Sequence, residues 1–357
     1  MDRRLPPMKG RGALTNATGR FEAHRVESVD DGWEQPELAS QVATQISPEP
    51  CRTIISRNDS PDVPFDQSIN PYRGCEHGCV YCYARPTHAY LNLSPGLDFE
   101  TRLFFKARAA ELLEKELAKP GYRVSPIALG TNTDPYQPIE RRLKVTRSIL
   151  EVLWRHRHPC TIVTKGSLIE RDLDLLALMA QERLVSVMIS VTTLSDELKR
   201  VMEPRAAAPL ARLRTIEMLA ANEIPVGALI APVIPAINDH EIESLVEAAA
   251  AHGARSAGFI MLRLPHEVQA LFREWLETHF PLKAGHVMSL IRDMRGGREN
   301  DPRFGSRMRG EGEVAELIGR RFQLAVRRAG LANDRRTELD LKAFRVPQPS
   351  TPQLALF

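Results

Sequence analysis

Through the middle of the chain, short apolar runs rich in β-branched residues alternate with amphipathic segments. The runs are Ser68–Tyr72, Ile127–Thr131, Thr161–Lys165, Ser186–Val191, Val226–Pro232 and Ser256–Leu262, and each reads as a strand. Between them, apolar residues recur at three- and four-residue spacing over Arg102–Leu117, Leu143–His156, Leu173–Glu182, Leu210–Asn222 and Asp239–His252, which predicts helices. In the last of these, Ile242, Leu245, Val246 and Ala249 share one face. Asn238 stands where it can cap the helix, Glu241 can complete a capping box, and Gly253 can stop it. A shorter helix is written in "TLSDELKRVMEP", with Thr193 or Ser195 as cap and Pro204 as stop.

Strands alternating with helices demand parallel pairing and right-handed crossovers, so the class is α/β. Periodicity leaves a barrel and a doubly wound sheet both open. A length of 357 residues suits one large α/β barrel with appendages. Residues 1–66 are rich in Pro, Gly, Ser, Asp and Glu and read as a partly irregular N-terminal extension. The core spans 67–265. Residues 266–357 read as a helical region, carried by "EVQALFREWLETHFP", "GHVMSLIRDM" and "VAELIGRRFQLAVRRAG".

Composition adds a class and a compartment. With 43% hydrophobic and 26% charged residues the chain can bury an ordinary core, and no apolar run reaches the roughly 18 to 20 residues of a membrane helix. The start, "MDRRLPPMKGRGAL", lacks the apolar stretch of a secretory signal. Five cysteines, an odd number with three clustered, make a poor disulfide framework. The expectation is a cytoplasmic protein whose clustered thiols bind metal or do chemistry. The net charge of +3 says little about partners, but 292–328 carries ten arginines, no lysine and six acidic residues. Such an arginine bias suits phosphate recognition, and equally a solvated helical face with local ion pairs.

The chemistry concentrates in "NPYRGCEHGCVYCYARPTHAY", where Cys75, Cys79 and Cys82 follow the first strand. In a βα fold that loop belongs to the face where active sites form. Three thiolates can hold three irons of a [4Fe–4S] cube, leaving the fourth iron open for chemistry. Gly74 and Gly78 allow positive φ in a tight loop, and Tyr81 can shield the centre. The same residues admit a structural zinc site completed by His77 or His88, as in a nucleic-acid-binding protein, or a redox pair of Cys79 and Cys82.

The Cys-x3-Cys-x2-Cys spacing, with an aromatic residue before the third cysteine and placed after the first strand of a βα repeat, resembles the radical S-adenosylmethionine superfamily. Within it, "GTNTDPYQPIE", "VTKGSLIERD", "ISVTTLSDELKRVMEPR" and "VGALIAPVIPAINDHE" look like the spore photoproduct lyase branch, also described as DNA repair photolyase-like. The resemblance implies a partial (β/α)6 TIM-like barrel and two cofactors, a [4Fe–4S] cluster and S-adenosylmethionine. It also implies an external reductant such as flavodoxin or ferredoxin. In that superfamily one electron from the cluster cleaves the cofactor to methionine and a 5′-deoxyadenosyl radical, which abstracts hydrogen from substrate. Carried over residue by residue, Cys75, Cys79 and Cys82 are the iron ligands. Tyr81, Thr131, Lys165, Ser190 and Arg205 are the cofactor contacts, Lys165 and Arg205 toward its carboxylate.

The resemblance to that branch is incomplete. It places a hydrogen-donating cysteine near the second strand end, where this chain has Thr131, while Cys160 precedes the third strand at the far end of the barrel. Repair of spore photoproduct itself is therefore not implied, and Tyr136 is the nearest alternative donor. The expected substrate is a nucleic acid or another phosphate-bearing molecule; a small metabolite or a tRNA is the competing reading.

Overall fold

The computed structural model describes residues 9–22, 42–332 and 338–347. Its strands are β1 (Gln45–Pro48), β2 (Ile55–Arg57), β3 (Gln67–Ile69), β4 (Tyr72–Arg73), β5 (Arg102–Phe105), β6 (Ile127–Leu129), β7 (Cys160–Thr164), β8 (Val185–Ser190), β9 (Val226–Val233) and β10 (Ser256–Met261). Strands β3, β6, β7, β8, β9 and β10 lie side by side in chain order, all parallel. β2 adds an antiparallel edge beside β3, so the sheet runs from β10 to β2 without closing. This is a partial (β/α)6 TIM-like barrel. Its strands read as unbroken apolar runs because the central ones are covered on both faces: Ile127, Leu129, Ile162, Val187 and Ala228 are buried on one face, and Ala128, Ser186 and Gly227 on the other.

Register sets the rim. Ile127 pairs with Cys160 and Cys160 with Val185, so neighbouring strands start level. Thr164 then pairs with Ile189 and Ser190 with Leu229, which gathers the C-terminal ends of β7, β8 and β9 at one opening. The crossovers are the helices Val145–Arg155, Leu173–Gln181, Pro209–Ala221 and Ile242–Ala251. After β10 come Val268–His279, Ala284–Asp293 and Gly312–Arg328. The last packs along Ile242–Ala251, fastened by Arg321 donating to both Glu243 oxygens at 2.8 and 2.7 Å. No described helix is long and apolar enough to cross a membrane.

Two local readings are corrected. Arg102–Leu117 is not one helix: Arg102–Phe105 is strand β5, and the helix spans only Ala109–Leu117. Arg102 is exposed and Leu103 buried, an alternation of period two that suits β5's pairing with β1 and β4. Asn238 does not cap the following helix. Its amide donates to Thr192 O at 2.8 Å and Pro232 O at 3.0 Å and accepts from Ile234 N at 2.7 Å, tying the ends of β8 and β9 together. Glu241 likewise accepts from Thr193 Oγ1 and Leu194 N rather than closing a capping box. By contrast, Ser195 does cap Asp196–Met202, accepting from Leu198 N at 3.2 Å.

Residues 11–17, part of the stretch that reads as irregular, are packed into the barrel. Gly12 N and Ala13 N donate to the two oxygens of Glu100 at 3.0 and 2.8 Å, and Arg11 donates to Glu100 O at 2.9 Å. Ala13 packs with Leu97 and Leu271. A Cβ on Gly12 would stand 1.8 Å from Gly78 O, inside the cysteine loop. Nearby, His88 is enclosed beside Phe99 and Phe104 with ring centroids at 5.1 and 6.4 Å. Its Nε2 lies 3.0 Å from Arg102 O, so that nitrogen is assigned the proton, while buried Nδ1 has no partner. Burial holds the ring neutral, with its pKa pushed down to about 4.

Two predictions follow from these contacts. Gly12→Ala should dislodge the N-terminal segment, seen as new protease cleavage within residues 9–22 and a lower Tm. Gly285→Ala, where nothing lies within 4 Å of the added carbon, should leave Tm unchanged or raise it. A resistant Gly12→Ala protein would show that the segment is not so packed. For His88, the unfolded chain takes up the proton first as pH falls. Its contribution is complete above the ordinary imidazole pKa of about 6.5 and is lost from there down to about 4. Urea unfolding of the apo-protein across that interval should show stability falling with pH, and less steeply in His88→Phe.

Candidate active site

The cysteine loop leaves the barrel by a detour. β3 ends at Ile69, and Tyr72–Arg73 turns aside as β4 to pair with β5. Gly74 (φ +76°) and Gly78 (φ +67°) then take the positive φ expected of them. A side chain at Gly74 would also meet Leu103 Cδ2 at 2.6 Å and Phe99 O at 2.7 Å. The backbone coils on itself: Gly78 N donates to Cys75 O, Cys82 N to Cys79 O at 3.2 Å and Arg85 N to Cys82 O at 3.2 Å. From below, Gln137 accepts from Glu76 N at 2.8 Å and donates to Gly74 O at 3.2 Å. Val80 N donates to Met202 O and Arg205 N to His77 O, which joins the loop to the segment after β8.

Cys75 and Cys79 are buried and Cys82 is partly exposed. Burial pushes all three thiols above their ordinary pKa; Asp134 and Glu203 push Cys75 and Cys79 further, as do the other thiols. Left alone they would keep their protons, and a cationic iron centre supplies the charge that makes such thiols ligands. Three soft donors on one loop therefore fit an iron–sulfur cluster. Both histidines considered for zinc make contacts of their own. His77 Nδ1 lies 3.3 Å from Asp134 Oδ2, and His88 is shut in beside Phe99. Among the described residues, no three His, Cys, Asp or Glu side chains are grouped as a single-ion site.

Facing the loop, Lys165 follows β7 directly and reaches across the rim. Its Nζ lies 2.5 Å from Ser190 Oγ at the end of β8, 3.3 Å from Ala231 O and 3.5 Å from Glu203 Oε1. The ammonium also sits 5.9 Å from the centre of the Tyr81 ring, a cation–π distance. Tyr81 donates its hydroxyl to Glu203, and Thr192 does so at 2.7 Å. Glu203 is fully buried. Burial alone would push it up, but Arg212, Lys165 and the Tyr81 hydroxyl hold it well below the ordinary carboxylate range. Lys165, Ser190 and Tyr81 thus share one polar cluster.

The other singled-out residues stand apart from that cluster to different degrees. Arg205 lies beside the loop, its Nη2 3.2 Å from Glu76 Oε1. Thr131 exchanges hydrogen bonds with Asn70 and accepts the Tyr83 hydroxyl on its carbonyl. Tyr136 is enclosed in the main core and donates to Asp172 Oδ2 at 3.1 Å. Cys160 is buried at the start of β7, at the end of the strand away from the rim.

Sequence reasoning missed Glu203 and Arg212 as site residues. A signal existed for Arg212: it shares a helix face with buried Thr215, Ile216 and Leu219, where a charge needs a partner. It missed Arg85 and Glu100 as well, whose pairing across 15 residues leaves no periodic trace.

Comparison with known proteins agrees with this geometry. A family model described as the Radical SAM superfamily matches residues 69–249. An uncharacterized protein of Mycobacterium tuberculosis (strain ATCC 25618 / H37Rv) is 37% identical over 245 residues, covering 68% of this chain and 72% of its own. Another, from Methanocaldococcus jannaschii, is 30% identical over 48% of this chain and 62% of its own. Among solved structures, a spore photoproduct lyase with a cysteine-to-serine substitution has a TM-score of 0.59 at 15% identity, with 88% of each chain covered. A variant of that enzyme with bound AdoMet and dinucleoside spore photoproduct has a TM-score of 0.57 at 14% identity over 80% of each chain. At these identities the likeness shows a shared fold. The chain belongs to the radical S-adenosylmethionine superfamily, enzymes that work with a [4Fe–4S] cluster and S-adenosylmethionine.

Proposed function

We propose that this enzyme abstracts hydrogen from a phosphate-bearing substrate, a nucleic acid or one of its constituents. In this reading Cys75, Cys79 and Cys82 hold the cluster and the rim around Lys165 holds S-adenosylmethionine. The observation that carries it is the juxtaposition of three thiols on one loop, two of them buried, with one polar cluster at the strand ends. When bound, the cluster and cofactor supply one-electron cleavage of a carbon–sulfur bond and a radical able to take hydrogen. The protein's own groups do the positioning. Lys165 offers an ammonium whose neighbours are two hydroxyls, a carbonyl and a carboxylate shared with Arg212, and a cofactor carboxylate is a stronger partner than the hydroxyls and the carbonyl. Ser190 Oγ, 2.5 Å from Lys165 Nζ, stands beside the same group. Arg205 can swing from Glu76, which is also held by Thr44 Oγ1 at 2.9 Å, toward the cofactor. Tyr81 walls the cluster side, and Thr131 lines the opening beside Tyr83. An external one-electron donor such as flavodoxin or ferredoxin completes the system.

The substrate class rests on the arginine-rich stretch 292–328 and on the shared fold with an enzyme solved with dinucleoside spore photoproduct. Binding of such a substrate should weaken steeply as salt rises.

Anaerobic reconstitution with iron, sulfide, dithionite and S-adenosylmethionine tests the reading. The wild type should gain iron and sulfide, show the electron paramagnetic resonance signal of a reduced cluster, and release 5′-deoxyadenosine. Cys79→Ala should lose all three. Zinc bound without iron, or 5′-deoxyadenosine equal in both proteins, would overturn it. Lys165→Ala should retain iron while its affinity for S-adenosylmethionine drops about tenfold or more, the usual worth of a charge-assisted hydrogen bond. Unchanged affinity by calorimetry would remove Lys165 from the cofactor site.

A further inference from the structure

On the far side of the opening from Lys165, Arg263 follows β10 by two residues. It is partly buried, and its surroundings leave it short of partners. Among the described residues its Nε is enclosed without a hydrogen-bond acceptor, and Nη1 has only the Met308 sulfur at 3.8 Å. No carboxylate pairs with it among the described residues. A guanidinium this dehydrated and unpaired is costly unless an anion completes it.

Two further cations surround it, and both are already satisfied. Arg307 donates to both oxygens of Asp62, at 2.6 and 2.5 Å. Arg295 is buried and spends its donors on Ser306 O at 3.0 Å and Leu262 O at 2.7 Å. These contacts fix the Gly- and Arg-rich turn beside Arg263, and of the three arginines leave Arg263 as the one with donors to offer.

The same guanidinium connects to the cysteine loop. Its carbon lies 5.7 Å from the centre of the Tyr83 ring, and Tyr83 directly follows Cys82. Tyr83 is 49% exposed although Tyr81, two residues before it, is buried. Its hydroxyl is anchored on Thr131 O at the end of the β6 side. The exposed ring surface therefore borders the opening between the cysteine loop and Arg263.

We propose that Arg263, beside Tyr83 and backed by Arg307, binds a phosphate of a nucleotide-containing substrate at the mouth of the barrel. The planar donor fork matches phosphate oxygens, and an exposed aromatic ring beside it gives a base a face to stack on. One residue thus meets the phosphate and the next meets the base. This deepens, and rests on, the proposed function, because it places that substrate against the loop that carries the cluster ligands.

The test uses the reconstituted holoenzyme with S-adenosylmethionine bound. Three probes are titrated by calorimetry: a thymidine dinucleotide with its phosphate bridge, the same dinucleoside joined without phosphate, and inorganic phosphate. The wild type should prefer the phosphate-bridged probe by about tenfold, the scale of one charge-assisted contact. Arg263→Ala should bring that preference close to one, Arg263→Lys should keep part of it, and neither should weaken S-adenosylmethionine binding. A wild type without phosphate preference, or a folded Arg263→Ala that keeps it, would overturn the assignment. So would loss of cofactor affinity with the preference intact, which would make Arg263 a clamp on the cofactor.

A measurement that needs no variant guards against misfolding. Phenylglyoxal modification of Arg263, located by peptide mass mapping, should be slowed by inorganic phosphate and by the dinucleotide. Protection by neither sinks the proposal, and protection by phosphate alone removes the nucleotide. Release of 5′-deoxyadenosine is followed in parallel. Its absence bears on the radical-enzyme reading, whereas the phosphate measurements bear on Arg263.

Discussion

The site depends on one buried ion pair. Arg85 and Glu100 are both enclosed, 2.5 Å apart, and between them tie the cysteine loop to residues 11–13 and to the turn at Pro95 and Gly96. Arg85 donates from Nε to Cys79 O at 2.9 Å and from Nη1 to Pro95 O and Gly96 O at 3.0 and 2.9 Å. Glu100 accepts from Gly12 N and Ala13 N. Almost every lone pair and proton of the two groups is used, the condition under which a buried pair is sustained rather than merely tolerated. Removing one partner would strand the other, at a cost of about 3–5 kcal/mol. The charge arrangement bears on the site too, since burial pushes the Cys82 thiol up and the Arg85 guanidinium opposes that rise.

A second polar group sits under the rim and acts in the opposite direction, toward readiness. Glu203 is shared by Arg212, Lys165, Tyr81 and Thr192. Its one negative charge faces two cations, so the rim keeps a surplus of positive charge at Lys165. Arg212 is anchored further on Ser190 O at 3.1 Å and Ala207 O at 2.9 Å and cannot leave. Lys165 is the more movable of the two, with a flexible stem and weaker partners. The opening thus has a fixed cation below and an adjustable one at the surface.

The C-terminal helices belong to the same design. Val80 and Tyr81 of the loop share an apolar cluster with Phe272, Trp275 and Leu276 of the helix Val268–His279, and with Ile234 and Leu262 at strand ends. Trp275 donates its indole N–H to Val201 O at 3.0 Å. A cluster loop needs exclusion of water as much as ligands, and this packing seals its outer side.

Local pattern was enough for the six parallel strands, most helices, the cysteine spacing and the two turn glycines, because each is written in contiguous residues. Ser195 could be read as a cap for that reason, whereas Asn238 could not be excluded as one: only the folded chain shows that Thr192 and Pro232 stand nearer to its amide. Residues 11–17 lacked any period, since they are held by backbone groups on a distant carboxylate rather than by an apolar face of their own. The sequence by itself determined the βα order, the three thiols and the placement of polar residues at strand ends. Tertiary structure alone decided which charges pair and which do not. Glu203 found Arg212, Glu100 found Arg85, and Arg263 found no carboxylate among the described residues, because such partnerships depend on distances in space that spacing along the chain does not encode.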